Sequence, residues 1–290
     1  MDTRKANDIV DKMSFIKMHA LGNDFVILDK GTEGIHGLDA LIKAISHRRF
    51  GIGCDQVLLR CYLDQDTISM DVYNQDGSHA KGCGNGTRCF AMLHYIETGR
   101  NQCKIVVGPK TLHCSVEDGL VEVNMGQVDM MPSWEVTQSI KAMLSQYQRD
   151  CEAMCVDVGN RHVVVFGQSL MHEDIQVLAP QIERCVPGGV NVNFAKVVVK
   201  GNDTQIDIVV WEQGVGFTMA CGTGATATFA SACKLGFVEG ATCINFECGS
   251  LWMRQVHGEI FMKGEGCLVA KGVFYQMSPD AMPQDIGIEL

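Results

Sequence analysis

The chain has 290 residues, of which 46% are hydrophobic and 20% charged, and its formal net charge is −10 at pH 7. This composition is typical of a globular protein and excludes a disordered chain, a collagen-like chain and a coiled coil. The acidic balance and the lack of lysine or arginine runs argue against a nucleic-acid partner or an anionic membrane surface.

Alternating apolar residues predict many short strands, and a few longer segments with helical periodicity predict helices. In chain order these are a strand at 25–28, a helix at 38–46, strands at 57–60 and 69–73, a helix at 87–97, strands at 104–107 and 121–123, a helix at 139–148, a strand at 163–166, a helix at 175–183, strands at 195–199 and 206–211, a helix at 225–235, and strands at 244–246 and 259–262. Regular β-α-β alternation is absent. We therefore expect an α+β fold and not a doubly wound parallel sheet.

The sequence favours a cytoplasmic protein. No apolar run reaches the roughly 18 residues of a membrane span. The charged residues 1–12 do not resemble a secretory signal, and we interpret them as a loose extension. A reducing compartment argues against disulfides among the 14 cysteines, and their spacings contain no Cys-x-x-Cys pair and fit no metal site.

An internal repeat is the strongest organisational signal. A Cys-Gly-Asn-Gly motif from Cys83 opens one predicted helix, and a Cys-Gly-Thr-Gly motif from Cys221 opens another, 138 positions later. Ten residues before each cysteine an aromatic residue ends a strand, and a polar residue follows it. Gly-Asn pairs at residues 22–23 and 159–160 lie 137 positions apart. Such matches in register predict two homologous halves.

The boundary between the halves is expected near residues 129–133, where Met-Met-Pro interrupts the pattern. We predict a first half at residues 13–130, completed by residues 272–290, and a second half at residues 131–271.

Each Cys-Gly-x-Gly motif lies where a turn becomes a helix. The free N–H groups of a first helical turn, with the helix dipole, favour a bound anion such as a carboxylate. The same position predicts that the pKa values of Cys83 and Cys221 fall below their ordinary value. If the halves face each other, one thiolate can remove an α-proton while the other thiol returns a proton to the opposite face.

Three alternatives remain open at this level. A phosphate-binding loop at Gly82–Gly86 lacks the Lys-Ser/Thr that should follow it. A thiol redox protein would use Cys83 with Cys89, although their spacing is not that of a Cys-x-x-Cys motif. A ligand-binding module would bind an amino acid without exchanging its α-proton.

Five stretches of the sequence are distinctive: MHALGNDF from Met18, GCDQ from Gly53, YNQDGS from Tyr73, CGNGTRC from Cys83 and ACGTGA from Ala220. They resemble the diaminopimelate epimerase family, and the resemblance covers residues 14–275. It implies an α+β fold of two pseudo-symmetric halves, each a curved mixed sheet wrapped around a central helix. It also implies a small amino-acid substrate in the cleft between them, no cofactor, no metal and often a homodimer.

The resemblance also assigns roles to residues of this chain. Cys83 and Cys221 would be the catalytic acid/base pair, supported by His162 and Glu212. The substrate-binding residues would be Asn23, Gln56, Asn74, Gly84, Asn85, Asn160, Asn191, Glu212, Gly222 and Thr223. We add Arg161 and Gln213 as substrate-binding candidates at positions within the same motifs. Gly84, Asn85, Gly222 and Thr223 would hold the reacting α-carboxylate.

Two positions depart from the family pattern. Arg161 stands where the family has proline, and Gln213 stands where it has an arginine that would bind the distal carboxylate. Loss of a bidentate arginine is not a conservative change. One hypothesis is that Arg161 supplies the missing charge. The other is a racemase of a different amino acid.

The sequence therefore predicts a cofactor-independent isomerase. Its expected reaction is the epimerisation of LL- to meso-diaminopimelate, which would supply lysine and peptidoglycan synthesis. A racemase of another amino acid is the alternative, and a thiol redox protein is less favoured.

Overall fold

A computed structural model describes residues 9–30, 37–80, 82–146, 151–168, 172–201 and 203–277. The helices within these residues are α1 (Leu38–Ser46), α2 (Gly84–Thr98), α3 (Thr137–Gln146), α4 (His172–Cys185) and α5 (Gly222–Lys234). The strands are β1 (Ile9–Ala20), β2 (Asn23–Asp29), β3 (Gln56–Tyr62), β4 (Thr67–Asn74), β5 (His79–Ala80), β6 (Gln102–Val107), β7 (Lys110–Glu117), β8 (Leu120–Gly126), β9 (Cys151–Asp157), β10 (Arg161–Gly167), β11 (Asn191–Lys200), β12 (Asp203–Glu212), β13 (Gly216–Thr218), β14 (Thr242–Phe246), β15 (Gly249–Val256), β16 (Glu259–Gly264) and β17 (Cys267–Met277). Among these helices none is long and apolar enough to cross a membrane.

The two halves of the chain repeat one strand topology. In the first half β2 pairs parallel with β3, β3 antiparallel with β4, and β4 antiparallel with β5 and parallel with β6. In the second half β10 pairs parallel with β11, β11 antiparallel with β12, and β12 antiparallel with β13 and parallel with β14. Each half then ends in an antiparallel meander, β6–β7–β8 and β14–β15–β16. The predicted α+β fold with two similar halves is confirmed.

Each half encloses one helix. In α2 the residues from Asn85 to His94 are buried in an unbroken run, and in α5 almost every residue from Gly222 to Ala232 is buried. A helix buried on all sides belongs in a core rather than on a surface. Large apolar side chains such as Phe90 and Phe229, both about 1% exposed, anchor the two helices, and burial of each contributes roughly 1.5–3 kcal/mol. The first turns of both helices are thereby held at the centre of the molecule.

The two halves are joined through their sheets. β8 of the first half pairs antiparallel with β16 of the second, with Val123 opposite Met262. This pairing forms a continuous seam beneath the first turns of α2 and α5.

The end of the described chain returns to the first half, because β17 pairs antiparallel with β1 from Ile9 onwards. Residues 9–12 therefore belong to a paired strand, which corrects the expectation that all of residues 1–12 form a loose extension. Residues 1–8 and 278–290 lie outside the described residues.

Candidate active site

The two cysteines of the repeated motif occupy equivalent positions. Cys83 is the N-cap of α2, and its Sγ accepts a hydrogen bond from the Gly86 N–H at 3.2 Å. Cys221 is the N-cap of α5, and its Sγ accepts from the Gly224 N–H at 3.4 Å. Sulfur replaces the oxygen that usually caps a helix. The N–H groups of the next two residues in each helix have no partner within their own helix, because no turn precedes them.

The first turns of α2 and α5 are in contact. A Cβ placed on Gly84 would lie 3.5 Å from the Cα of Gly222, and a Cβ on Gly222 would lie 3.5 Å from the Cα of Gly84. The two helix ends therefore meet at these glycines in van der Waals contact. The two cysteine motifs thus border one cleft of about 920 Å³.

Most of the residues predicted from the sequence line this cleft. Those that line it are Cys83, Cys221, Asn23, Gln56, Asn74, Gly84, Asn85, Asn160, Glu212, Gln213, Gly222 and Thr223. His162, Arg161 and Asn191 do not contribute to its lining. The side chain of Asn191 instead links two backbone segments. Its Nδ2 donates to the Arg161 carbonyl at 3.0 Å, and its Oδ1 accepts from the Gln213 N–H at 3.1 Å.

The expectation that both cysteine pKa values are lowered is wrong. Burial raises the pKa of Cys83 to about 11 and that of Cys221 to about 12. The carboxylate of Glu212 raises both values further, whereas the hydrogen bonds from Gly86 and Gly224 lower them. The cost of burying a thiolate away from water therefore raises these pKa values more than the helix N-terminus lowers them.

A chain of side-chain contacts leads from the core of the second half to Cys221. Asn193 Nδ2 lies 3.0 Å from His162 Nδ1, His162 Nε2 lies 3.1 Å from Thr223 Oγ1, and Thr223 Oγ1 lies 3.3 Å from Cys221 Sγ. His162 is fully buried, and burial lowers its pKa to about 3, so its ring is neutral at neutral pH. The hydroxyl of Thr223 lowers the pKa of Cys221.

Among the described residues of the first half no such chain reaches Cys83, because Asn85 stands where the second half has Thr223. Asn85 Nδ2 donates to Asn23 Oδ1 and to the Ala220 carbonyl, both at 3.1 Å. Arg88 Nη2 donates to Asn85 Oδ1 at 3.0 Å. The Arg88 guanidinium is fully buried, and its charge lowers the pKa of Cys83. The two thiols therefore have equivalent backbone positions but different side-chain support.

Two of these residues, Arg88 and Asn193, were missed by the sequence-based assignment. Arg88 lies inside a Cys-Gly-Asn-Gly-Thr-Arg-Cys stretch, and a charged residue at a position facing the core was the available signal. Asn193 carried no comparable signal, since it lies in an apolar strand where only the fold brings it to His162.

Glu212 is positioned at the end of β12, where its Oε1 accepts a hydrogen bond from Thr218 Oγ1 at 2.6 Å. Burial raises the pKa of this carboxyl, and the bond from Thr218 partly opposes the shift. Since Glu212 also raises the pKa of both cysteines, its charge acts on the two thiols together.

The hypothesis that Arg161 supplies a positive charge to the cleft is not supported by its position. Its Nη1 donates to the Pro187 carbonyl at 2.6 Å, and its guanidinium lies 5.7 Å from the centre of the Trp134 ring. A backbone carbonyl and an aromatic face are good partners for a planar guanidinium, so they hold it outside the cleft. Gln213 lines the cleft, but its Nε2 donates to the Gly188 carbonyl at 2.6 Å.

One group of potential metal ligands occurs in the described residues. Ligand atoms of His19, Glu265 and Cys267 lie within 4.8 Å of one another. None of the three lines the cleft.

Comparison with known proteins identifies the relatives of this chain. A family model described as diaminopimelate epimerase matches residues 15–131 and 154–268. The diaminopimelate epimerase of Rickettsia bellii (strain OSU 85-389) is 43% identical over 271 residues, which cover 91% of this chain and 98% of the relative. That of Rickettsia felis is 40% identical over 274 residues, covering 92% and 99%.

Solved structures show the same fold at low sequence identity. A hydroxyproline epimerase from Agrobacterium vitis, with bound trans-4-hydroxy-L-proline, superposes with a TM-score of 0.65 at 13% identity and covers 95% of this chain and 94% of its own. A predicted epimerase from Pseudomonas aeruginosa gives 0.66 at 12% identity, covering 90% and 98%.

Proposed function

Because the chain belongs to the diaminopimelate epimerase family, we propose that it interconverts LL- and meso-2,6-diaminopimelate, with Cys83 and Cys221 as the acid/base pair. One observation carries this proposal: two thiols cap two helices whose first turns are in contact at the centre of one cleft. The product would serve lysine and peptidoglycan synthesis. A cytoplasmic location and a homodimer are further parts of the proposal.

The α-carboxylate of the substrate binds at the helix ends. Its oxygens accept hydrogen bonds from the free N–H groups of Gly84 and Asn85 on one side and of Gly222 and Thr223 on the other. The α-carbon then lies between the two sulfurs. Negative charge that develops on the α-carbon spreads into the carboxylate, where two helix N-termini stabilise it.

The proton moves in two steps on opposite faces of the α-carbon. One cysteine, as thiolate, removes the α-proton, and the other, as thiol, gives its own proton to the opposite face. The roles exchange when the other stereoisomer binds. The thiols move the proton and the helix ends hold the charge, so this route requires no cofactor.

Binding of substrate helps to form the thiolate. In the free protein both thiols are protonated at neutral pH, because their pKa values lie near 11 and 12. The α-ammonium of the substrate brings a positive charge into the cleft, and a nearby cation favours a thiolate, so one thiol releases its proton to water as the substrate binds. A thiolate that can accept a proton is therefore formed mainly when the substrate is bound in the cleft.

His162 fixes the direction of the hydrogen bonds that reach Cys221. In the amide orientation that the structure shows, Asn193 Nδ2 faces His162 Nδ1, and in this orientation Nδ1 accepts and Nε2 carries the proton. Nε2–H donates to Thr223 Oγ1, and the Thr223 hydroxyl is then free to donate to the Cys221 thiolate. His162 and Asn193 act through Thr223 and are positioning residues.

A racemase of another amino acid is the second candidate, because no arginine lines the described cleft. Proton NMR in D₂O with reductant tests both candidates at once. We expect the α-proton signal of LL-diaminopimelate to disappear and those of L-lysine and L-glutamate to persist. Exchange confined to another amino acid would select the second candidate, and no exchange with any of them would contradict both.

Variants of the two cysteines test the mechanism itself. Cys83→Ala and Cys221→Ala should each lower epimerisation by at least about 100-fold, the usual contribution of a positioned acid or base. Cys61→Ala is the matched control, since Cys61 lies on β3 and does not line the cleft. Near-full activity in either active-site variant would contradict the two-thiol mechanism.

A further inference from the structure

The charges of the cleft are unevenly distributed. Three acidic residues, Asp55, Asp76 and Glu212, line it, whereas Lys110 is the one lysine or arginine among the described lining residues. A substrate with two carboxylates places one at the helix ends. Its second carboxylate needs another positive partner, because a carboxylate taken from water without one is costly.

Lys110 reaches across the cleft from one half to the other. It begins β7 of the first half, and its Nζ donates to the carbonyl of Val158 in the second half at 2.7 Å. An ammonium group has three donors, so two remain after this bond. No carboxylate of the described residues lies within ion-pair distance of this Nζ, so its charge is not neutralised by the protein.

Gly159 leaves room for this amine. A Cβ on Gly159 would overlap the Lys110 Nζ, and the φ of Gly159 is +97°, which disfavours other residues as well. The ammonium therefore occupies the space beside the Gly159 backbone.

Lys110 and Cys221 are connected through one wall of the cleft. The Lys110 amine lies against Val158 and Gly159, and the next residue, Asn160, donates from Nδ2 to Thr223 Oγ1 at 3.3 Å. Thr223 in turn contacts Cys221. A ligand held at the helix ends therefore shares this wall with the Lys110 ammonium.

The other cations that the structure describes near the cleft are already engaged. Arg161 is held by Pro187 and Trp134. Arg48 donates to both Asp24 and Asp55. Lys110 is the one cation that is both in the cleft and unpaired within the described residues.

We infer that the Lys110 ammonium binds the distal carboxylate of the substrate and selects amino acids that carry one. This inference rests on the proposed function, because diaminopimelate supplies the second carboxylate. According to this inference, the charged amine of Lys110 on β7 recognises the end of the substrate that does not react.

The test compares Lys110→Met, Lys110→Arg and the control Lys104→Met, since Lys104 is exposed on β6 outside the cleft. With LL-diaminopimelate, Lys110→Met should raise KM about 10- to 100-fold with a smaller change in kcat, as expected for loss of one hydrogen bond to a charged group. Lys110→Arg should keep KM within a few-fold of wild type. Lys104→Met should leave both constants unchanged.

Binding without turnover provides a second readout. In a Cys83→Ala background, calorimetry should show the same rise in Kd for Lys110→Met. If the wild-type protein exchanges the α-proton of diaminopimelate but Lys110→Met changes neither KM nor Kd, the role of Lys110 is wrong and the proposed function stands. If the wild type does not exchange that proton, the proposed function is wrong and the role of Lys110 falls with it.

Discussion

The sulfur of Met262 lies directly beneath Gly222: a Cβ placed on that glycine would be 3.2 Å from Met262 Sδ. Arg88 Nη1 donates to the same sulfur at 3.6 Å and restrains it. Gly222→Ala therefore forces Met262 to move, and we expect a loss of about 1–3 kcal/mol in the free energy of unfolding, as for other overpacked cores. Gly84→Ala is the matched comparison, because its Cβ would meet Met262 Cε at 3.8 Å, an ordinary contact.

Urea unfolding of both glycine variants measures this difference. A larger loss for Gly84→Ala than for Gly222→Ala would contradict the packing described here.

The raised pKa values of the two thiols predict slow alkylation at neutral pH. Since only the thiolate reacts, iodoacetamide labelling of Cys83 and Cys221 should rise about tenfold per pH unit from pH 7 to 10, without a plateau. Mass spectrometry of the labelled peptides, with glutathione as a reference thiol, reports each site. If the labelling rate instead stops rising at or below about pH 8.5, the thiol pKa values are not raised, and the lowering expected from the helix N-termini is correct.

The contact of Thr223 with Cys221 predicts a difference between the two thiols. Thr223→Val keeps the shape of the side chain but removes the hydroxyl that lowers the Cys221 pKa. The alkylation profile of Cys221 should shift to higher pH, while that of Cys83 stays in place. Thr223→Ser retains the hydroxyl and should restore the profile. If the alkylation profiles of Cys83 and Cys221 shift equally in Thr223→Val, the Thr223 hydroxyl has no specific effect on the Cys221 thiol and the prediction is wrong.

Burial of His162 predicts loss of stability in acid. Its pKa is about 3 in the folded protein and 6.5 ordinarily, so the unfolded chain binds a proton that the folded one does not. The stability that this neutral ring contributes is complete above pH 6.5 and is lost as pH falls toward 3. Tm should therefore fall less between pH 6.5 and 4 in His162→Gln than in wild type. The control is His113→Gln, an exposed histidine on β7, and equal slopes in all three proteins would contradict the prediction.

The strands and helices of the core could be predicted from the sequence because their periodicity reflects burial. Each predicted strand lies within an observed one, from residues 25–28 in β2 to residues 259–262 in β16. Strands such as β7 and β15 were missed because half-exposed meander strands mix polar and apolar residues. The equivalence of Cys83 and Cys221 followed from their common register, and the structure places both as helix N-caps.

Electrostatics and side-chain direction were harder to predict. The motif alone suggested lowered thiol pKa values, but the depth of burial comes only from the packed halves. Arg161 is close to the cleft in sequence, yet Pro187 and Trp134 turn its guanidinium away. Lys110 lies far from every recognised motif and reaches the cleft only because β7 faces Val158 across the two halves.

The seam between β8 and β16 has a mechanical consequence. Met262, whose side chain lies against the first glycine of both cysteine motifs, belongs to that seam. Both helix ends therefore rest on the same hydrogen-bonded pair of strands. A displacement of one half relative to the other must strain this pair, so the spacing of the two sulfurs is fixed by the folded sheet before any substrate binds.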